Sequence, residues 1–194
     1  LEDRHINISR AKYSTDYPCS FMFVASMNPC PCGYYGDPTH RCVCTPGQIQ
    51  RYMNKISGPL LDRIDIQCEI SPVPFQDISK AAPGEPSAKI RERVIKAREV
   101  QAERFKDYKG IHCNAQMTER MIHQFAEPDE QGIELLRMAM EKLSLSARAY
   151  NRILKVARTI ADLAESEQIK PDHIAEAVGY RTLDRGDWAE RGHL

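Results

Sequence analysis

Long apolar runs are missing from this chain of 194 residues. No stretch approaches the ~18 apolar residues that a membrane-spanning helix needs, and the mean hydropathy is −0.52. Membrane association through a spanning helix is therefore not expected. The first residues also lack the basic, apolar and small-residue succession of a secretory signal. Net charge is absent as well, because 27 Lys and Arg balance 27 Asp and Glu. A broad electrostatic footprint for nucleic acid is thereby excluded, whereas a local one is not. Tryptophan occurs once, and the six histidines are scattered in no Ser-His-Asp or Cys-His pattern. What the chain does carry is cysteine, seven in all, with four between Cys30 and Cys44. A secreted disulfide scaffold would be smaller and more evenly stapled. The odd, clustered set fits a reducing, cytoplasmic setting and a local metal site. With 42% hydrophobic and 28% charged residues the composition is that of a globular protein, one large domain or two small ones. The chain opens on Leu1 in mid-pattern, so it reads as a fragment, and motifs missing from it are expected upstream.

The first third reads as strands. His5 to Arg10 alternates polar and apolar, Ala11-Lys12 forms a hairpin tip, and Tyr13 to Tyr17 returns. Phe21 to Ser26 is a nearly continuous apolar run, which suits a strand buried on both faces, and Asn28-Pro29 breaks it. Thr45-Pro46-Gly47-Gln48 opens a helix by a capping-box pattern with Pro at the first helical position. Ile64 to Ile70 alternates strictly and predicts another strand. Residues 71–88 hold four prolines and a glycine, the strongest domain boundary in the chain. Beyond it the pattern is helical over 88–105, 117–125, 129–143, 146–164 and 171–178. Thr118, Asp129 and Ser146 stand as caps and Pro171 as a first-turn proline. Trp188 and Tyr180 read as packing residues rather than a stacking platform.

Cys30-Pro31-Cys32 and Cys42-Val43-Cys44 form two CxC pairs on one loop, which Gly33, Gly36 and Pro38 let fold back. Four thiolates around one tetrahedral Zn²⁺ make a closed structural site. His40 is an alternative ligand, and free thiols or disulfides are the alternative to metal.

Several motifs then occur in order. Ala25-Ser26-Met27-Asn28-Pro29 resembles the sensor 1 element of AAA+ ATPases, whose Asn orients the attacking water at the γ-phosphate. Ser57-Gly58-Pro59-Leu60-Leu61-Asp62-Arg63-Ile64-Asp65 resembles the segment that carries the arginine finger in the magnesium-chelatase and minichromosome-maintenance branch. Leu145 to Leu163 is similar to the sensor 2 helix of the lid, and Asn28-Pro29-Cys30-Pro31-Cys32-Gly33 narrows the resemblance to the ComM/YifB group of magnesium-chelatase-like ATPases. The resemblance implies an α/β plus all-α fold. Residues 1–80 would be the C-terminal part of a P-loop core and 88–183 the helical lid, with 184–194 as a tail. It implies Asn28 and Arg63 as catalytic residues, with Asn28 and Arg148 at the nucleotide and Arg152 in place of Arg148 if the register shifts one turn. Arg10 and Lys12 resemble a hairpin tip that touches DNA. ATP, Mg²⁺, a homo-oligomeric ring of six subunits and DNA remodelling linked to competence follow from the same likeness.

The chain departs from that family pattern in one respect. It contains neither G-x-x-x-x-G-K-[ST] nor an apolar run ending in Asp-Glu, so it lacks a phosphate cradle and a magnesium carboxylate. By itself it is expected to be inactive. Read from residues alone, Arg63 would pair with Asp62 or Asp65 on the surface, and Arg148 would sit solvated beside Glu141. Two other functions remain: a non-enzymatic, zinc-stabilised module that binds DNA or protein, and a metal-chelatase subunit.

Overall fold

The computed structural model describes residues 4–73, 77, 79 and 83–181. The tail 184–194, Trp188 with it, and much of the proline-rich segment lie outside the described residues. The chain divides between Arg63 and Ile64 into two compact units.

In the first unit β1 (His5–Arg10) pairs antiparallel with β2 (Tyr13–Pro18). Ala11, at φ +29°, turns the two-residue tip. One face of the hairpin satisfies itself. Asn7 Nδ2 donates to Asp16 Oδ1 at 2.7 Å and to Ser14 Oγ at 3.0 Å, and Ser9 Oγ donates to Asn7 Oδ1 at 2.8 Å. Helix α1 (Pro46–Met53) starts on a complete capping box. Gln48 N donates to Thr45 Oγ1, and Thr45 N donates to Gln48 Oε1 at 2.9 Å. A four-residue turn of helix, α2 (Gly58–Leu61), follows.

The apolar run at residues 21–26 is not a buried strand. It forms no ladder, and Phe21, Met22, Phe23 and Val24 are exposed. A strand is defined by what lies beside it, and among the described residues no second strand flanks this one. Residues 64–70 fall short for the same reason. Their one pairing is a single bridge, in which Gln67 N donates to Tyr180 O at 2.8 Å.

The second unit is helical: α3 (Ser87–Phe105), a 3₁₀ turn (Asn114–Gln116), α4 (Glu119–Phe125), α5 (Glu130–Leu143), α6 (Ala147–Leu163) and α7 (Pro171–Gly179). Thr118, Asp129 and Ser146 each accept a backbone N–H in the first turn of α4, α5 and α6, satisfying groups that a helix start otherwise leaves unpaired. Helix α6 is central and packs on α3, α4, α7 and the 3₁₀ turn. Its stripe Ala149, Ile153, Ala157, Ala161 is fully buried. The four-residue spacing puts them on one face, and three alanines let neighbouring helices approach closely. Around them pack Phe105, Ile122, Leu136, Leu154, Ile169 and Ile174, each contributing ~1.5–3 kcal/mol by leaving water. Gly132 marks the tightest approach: a Cβ there would lie 2.9 Å from the Pro128 side chain.

A polar network runs through this core. Arg104 grips Asp162 with two N–H groups, at 2.7 and 2.5 Å. Arg158 Nε donates to the same carboxylate at 3.1 Å, and its other nitrogens donate to the carbonyls of Glu167 and Ser166. Asn114 Nδ2 reaches Asp162 at 2.8 Å and Thr159 at 3.1 Å, and Asn114 N donates to Gln101 Oε1 at 3.0 Å. The Asp162 side chain is wholly buried. Every charge in the set has partners, which buried charge requires.

Candidate functional site

The two CxC pairs converge. Cys30 Sγ lies 3.3 Å from Cys32 and 3.7 Å from Cys42, and Cys32 lies 3.5 Å from Cys42. All four sulfurs, Cys44 included, fall within 4.8 Å of one another. Four sulfurs bound at ~2.3 Å to one tetrahedral ion stand ~3.8 Å apart, so the donor set fits zinc. None of the four is in a disulfide. Cys30 is buried and the others are half-buried, as in a closed site rather than an open catalytic one.

The loop is built to bring them together. Gly33 and Gly36 adopt φ +86° and +82°, a conformation that glycine reaches without strain. Gly33 N donates to Cys30 O at 3.1 Å, which reverses the chain after the first pair. Asp37 organises the return. It accepts from Thr39 N at 2.7 Å, Thr39 Oγ1 at 2.6 Å and His40 N at 3.1 Å. The Thr39 donors, led by its hydroxyl, hold the Asp37 carboxyl down to about 2. His40 is engaged in this turn. Its Nδ1 meets Thr39 Oγ1 at 2.8 Å and Asp37 at 3.3 Å, and its ring stacks on Tyr34 at 4.9 Å. The converging donors are the four cysteines, without His40.

Electrostatics favour a cation here. The Tyr34 backbone N–H, then that of Val43, lower the Cys32 thiol to about 6. Burial pushes Cys42 up to about 12 and raises Cys44 as well, reinforced by the neighbouring thiols. Four sulfurs this close cannot all ionise against one another; a divalent ion removes the conflict by taking all four as thiolates. Protein prepared without chelator should therefore carry about one zinc per chain by elemental analysis, and four thiols should titrate only after a strong chelator is added. Metal-free protein whose cysteines all titrate at once would remove the metal from this site.

The remaining sequence-derived residues are distributed as follows. Asn28, exposed, lies two residues before Cys30, and a Cβ on Gly33 would sit 3.9 Å from its Nδ2. Arg63 is half-buried just past α2, with Nη1 donating to Pro59 O at 2.7 Å. Arg148 is exposed in the first turn of α6, which carries no acidic residue. Glu141 is taken by Arg137 at 2.6 Å. Arg152, one turn on, pairs with Asp65, so Asp65 serves the helical unit. Arg10 and Lys12 are exposed at the hairpin tip. Among the described residues the four cysteines form the one cluster suited to a metal, and no helix is long and apolar enough to cross a membrane. Sequence reasoning missed the organising part of Asp37; its signal was Asp-Pro-Thr-His, an Asx-turn composition.

Comparison with known proteins adds the context. The family model for magnesium chelatase, subunit ChlI, matches residues 1–78, and that for the ChlI C-terminal region matches residues 84–181. The competence protein ComM of Haemophilus influenzae is 42% identical over 186 residues, which is 95% of this chain and 35% of that protein. The uncharacterized protein YifB of Escherichia coli is 42% identical over the same shares. The uncharacterized protein Rv2897c of Mycobacterium tuberculosis is 35% identical over 93% of this chain and 35% of its own length. The chain thus spans about a third of the length of the curated relatives it matches.

Proposed function

Because the chain belongs to the magnesium-chelatase-like family, we propose that it is the C-terminal part of a ring-forming AAA+ ATPase that couples ATP hydrolysis to the remodelling of DNA. The printed name of one relative, a competence protein, supports DNA as the object of that work. The phosphate cradle, the magnesium carboxylate and most of the core sheet then belong to the rest of the protein, whose strands would cover residues 21–26. Seven free cysteines, four of them held for a metal, suit a cytoplasmic protein.

The observation that carries the reading is Arg148. A cation in the first turn of a helix faces the positive end of the dipole, and Arg148 stands there exposed, with no acidic residue in that turn. An anion from outside the helix rewards that placement, and the γ-phosphate of ATP is the one this reading supplies. The pairing of Arg152 with Asp65 supports Arg148 as the sensor, with Arg152 as a structural tie one turn on. Asn28 offers both a donor and an acceptor and orients the water that attacks the γ-phosphorus. The bond from that phosphorus to the β,γ-bridging oxygen breaks, and ADP leaves. Arg63 acts across the subunit boundary on the neighbour's ATP, which makes the interface heterologous, the kind from which closed rings are built; six subunits is the expected number. Arg10 and Lys12 meet DNA phosphates as point charges on an exposed tip.

The test is ATP turnover by the complete protein with and without single-stranded and branched DNA. Stimulation by DNA is expected, and Arg148→Ala should reduce turnover roughly 10²-fold or more, as loss of one transition-state charge contact does. A complete protein that loads zinc and binds DNA yet turns over no ATP would favour a non-enzymatic binding module instead, and turnover unchanged by Arg148→Ala would remove Arg148 from the nucleotide.

A further inference from the structure

The register of the hairpin sorts its side chains into two unlike faces. Asn7, Ser9, Ser14 and Asp16 share one face and hydrogen-bond among themselves. Directly opposed residues and those two apart share the other face. The cross-strand pairs Ile6 with Tyr17, Ile8 with Thr15 and Arg10 with Tyr13 therefore lie together. No carboxylate stands on that second face; the hairpin's Asp16 is bonded to Asn7 on the first. At its outer end Tyr13 is 81% exposed. Its cross-strand partner is Arg10, and Lys12 is the residue before it.

We propose that Tyr13 is a base-stacking residue and that the hairpin tip takes single-stranded nucleic acid, with Arg10 and Lys12 on the phosphates and the tyrosine ring against a base. The inference rests on the reading that this protein works on DNA, and it names the form of DNA and the residue that selects it. A strongly exposed aromatic residue whose cross-strand partner and preceding residue are both cations, on a face without acidic groups, is a combination suited to binding single strands without sequence preference. A duplex keeps its bases stacked on each other and offers the tip only phosphates. An extended polypeptide could use the ring but would leave both cations without a matching anion at each step.

The experiment measures fluorescence anisotropy of labelled oligothymidine and of a blunt duplex with the complete protein, together with quenching of 2-aminopurine placed in the single strand. Tyr13→Ala should weaken single-strand binding roughly tenfold or more, the size of one lost base stack, and abolish the quench. Tyr13→Phe should keep both. The salt slope should be unchanged by Tyr13→Ala and should flatten by about 0.7 in Lys12→Ala, one phosphate contact on a single strand. Duplex affinity should be indifferent to Tyr13. Wild-type binding that Tyr13→Ala leaves intact overturns the stacking assignment alone. Wild-type complete protein that binds neither DNA overturns the DNA reading with it. Tyr13-dependent binding of unfolded casein without binding of oligothymidine makes the partner a polypeptide and overturns the proposal.

Discussion

Replacing Arg63 with alanine in the complete protein should cut ATP turnover by ~10³ or more while ATP binding stays within a few-fold of wild type. The split follows from the geometry proposed for the ring. An arginine finger stabilises charge that develops on the transferred phosphoryl group of the neighbouring subunit, so it contributes in the transition state and little in the ground state. Arg63 Nη1 donates to Pro59 O, four residues earlier, at 2.7 Å, and losing such a bond costs about 1 kcal/mol. Circular dichroism and urea unfolding of the variant separate a fall in turnover from a folding defect. Phosphate release and binding of a fluorescent ATP analogue separate the two quantities. Mixing variant with wild type should depress activity more than in proportion, because each variant subunit disables a neighbour. Arg63→Lys keeps the charge and loses the planar fork, so an intermediate rate is expected. Turnover of Arg63→Ala within threefold of wild type would return Arg63 to the surface.

The second large effect concerns stability. Asp162→Ala should destabilise the helical unit by about 3–5 kcal/mol, the usual consequence of removing one partner from a buried ion network. The carboxylate is completely buried, whereas the Arg158 and Arg104 side chains opposite it are 5% and 13% exposed. Deleting it leaves two guanidinium groups and the Asn114 amide without their shared acceptor. Against a total of about 5–15 kcal/mol for a domain, that loss brings the unit close to unfolding. Asp162→Asn retains shape and one acceptor oxygen and should cost less. Glu134→Ala provides the contrast. It breaks the pair with Arg137, whose members are 55% and 54% exposed, and should change stability by less than about 1 kcal/mol. Urea unfolding followed by circular dichroism reads all three. A loss below about 1 kcal/mol for Asp162→Ala would show that water or relaxation replaces the carboxylate.

Helix starts were legible because the chemistry that fixes them is local. Thr45 with Gln48, Thr118, Asp129 and Ser146 all cap where their sequence places them. A cap needs only the next turn of its own helix. The cysteine cluster was legible for a similar reason, since both pairs sit on one short loop. Strands at residues 21–26 and 64–70 were not legible, because a strand depends on neighbours that its own sequence does not specify. The choice between cysteine and His40 as fourth ligand turned on Tyr34 and Asp37, which take the ring elsewhere. The partner of Arg152 was hidden for the same reason, since Asp65 lies 87 positions away. The buried network left one trace in the sequence: Arg158 and Asp162 stand four apart, each directly after an alanine of the buried stripe on α6. A charged pair beside an apolar stripe reads as solvated until α3 and the 3₁₀ turn supply Arg104 and Asn114.

Within the first unit only Cys30 and Ile49 are buried among the described residues, whereas the second holds a continuous apolar core. Cohesion in the two parts thus has different origins, and a single melting temperature is not a defined property of the chain. In a calorimeter the helical part should give the sharp, metal-indifferent heat-absorption peak. The cysteine loop should respond to free zinc instead, its order set by mass action, since binding free energy there is folding free energy. A cell depleted of zinc would then lose the loop next to Asn28 while the helical bundle stayed folded, so that abundance and competence for work could fall out of step.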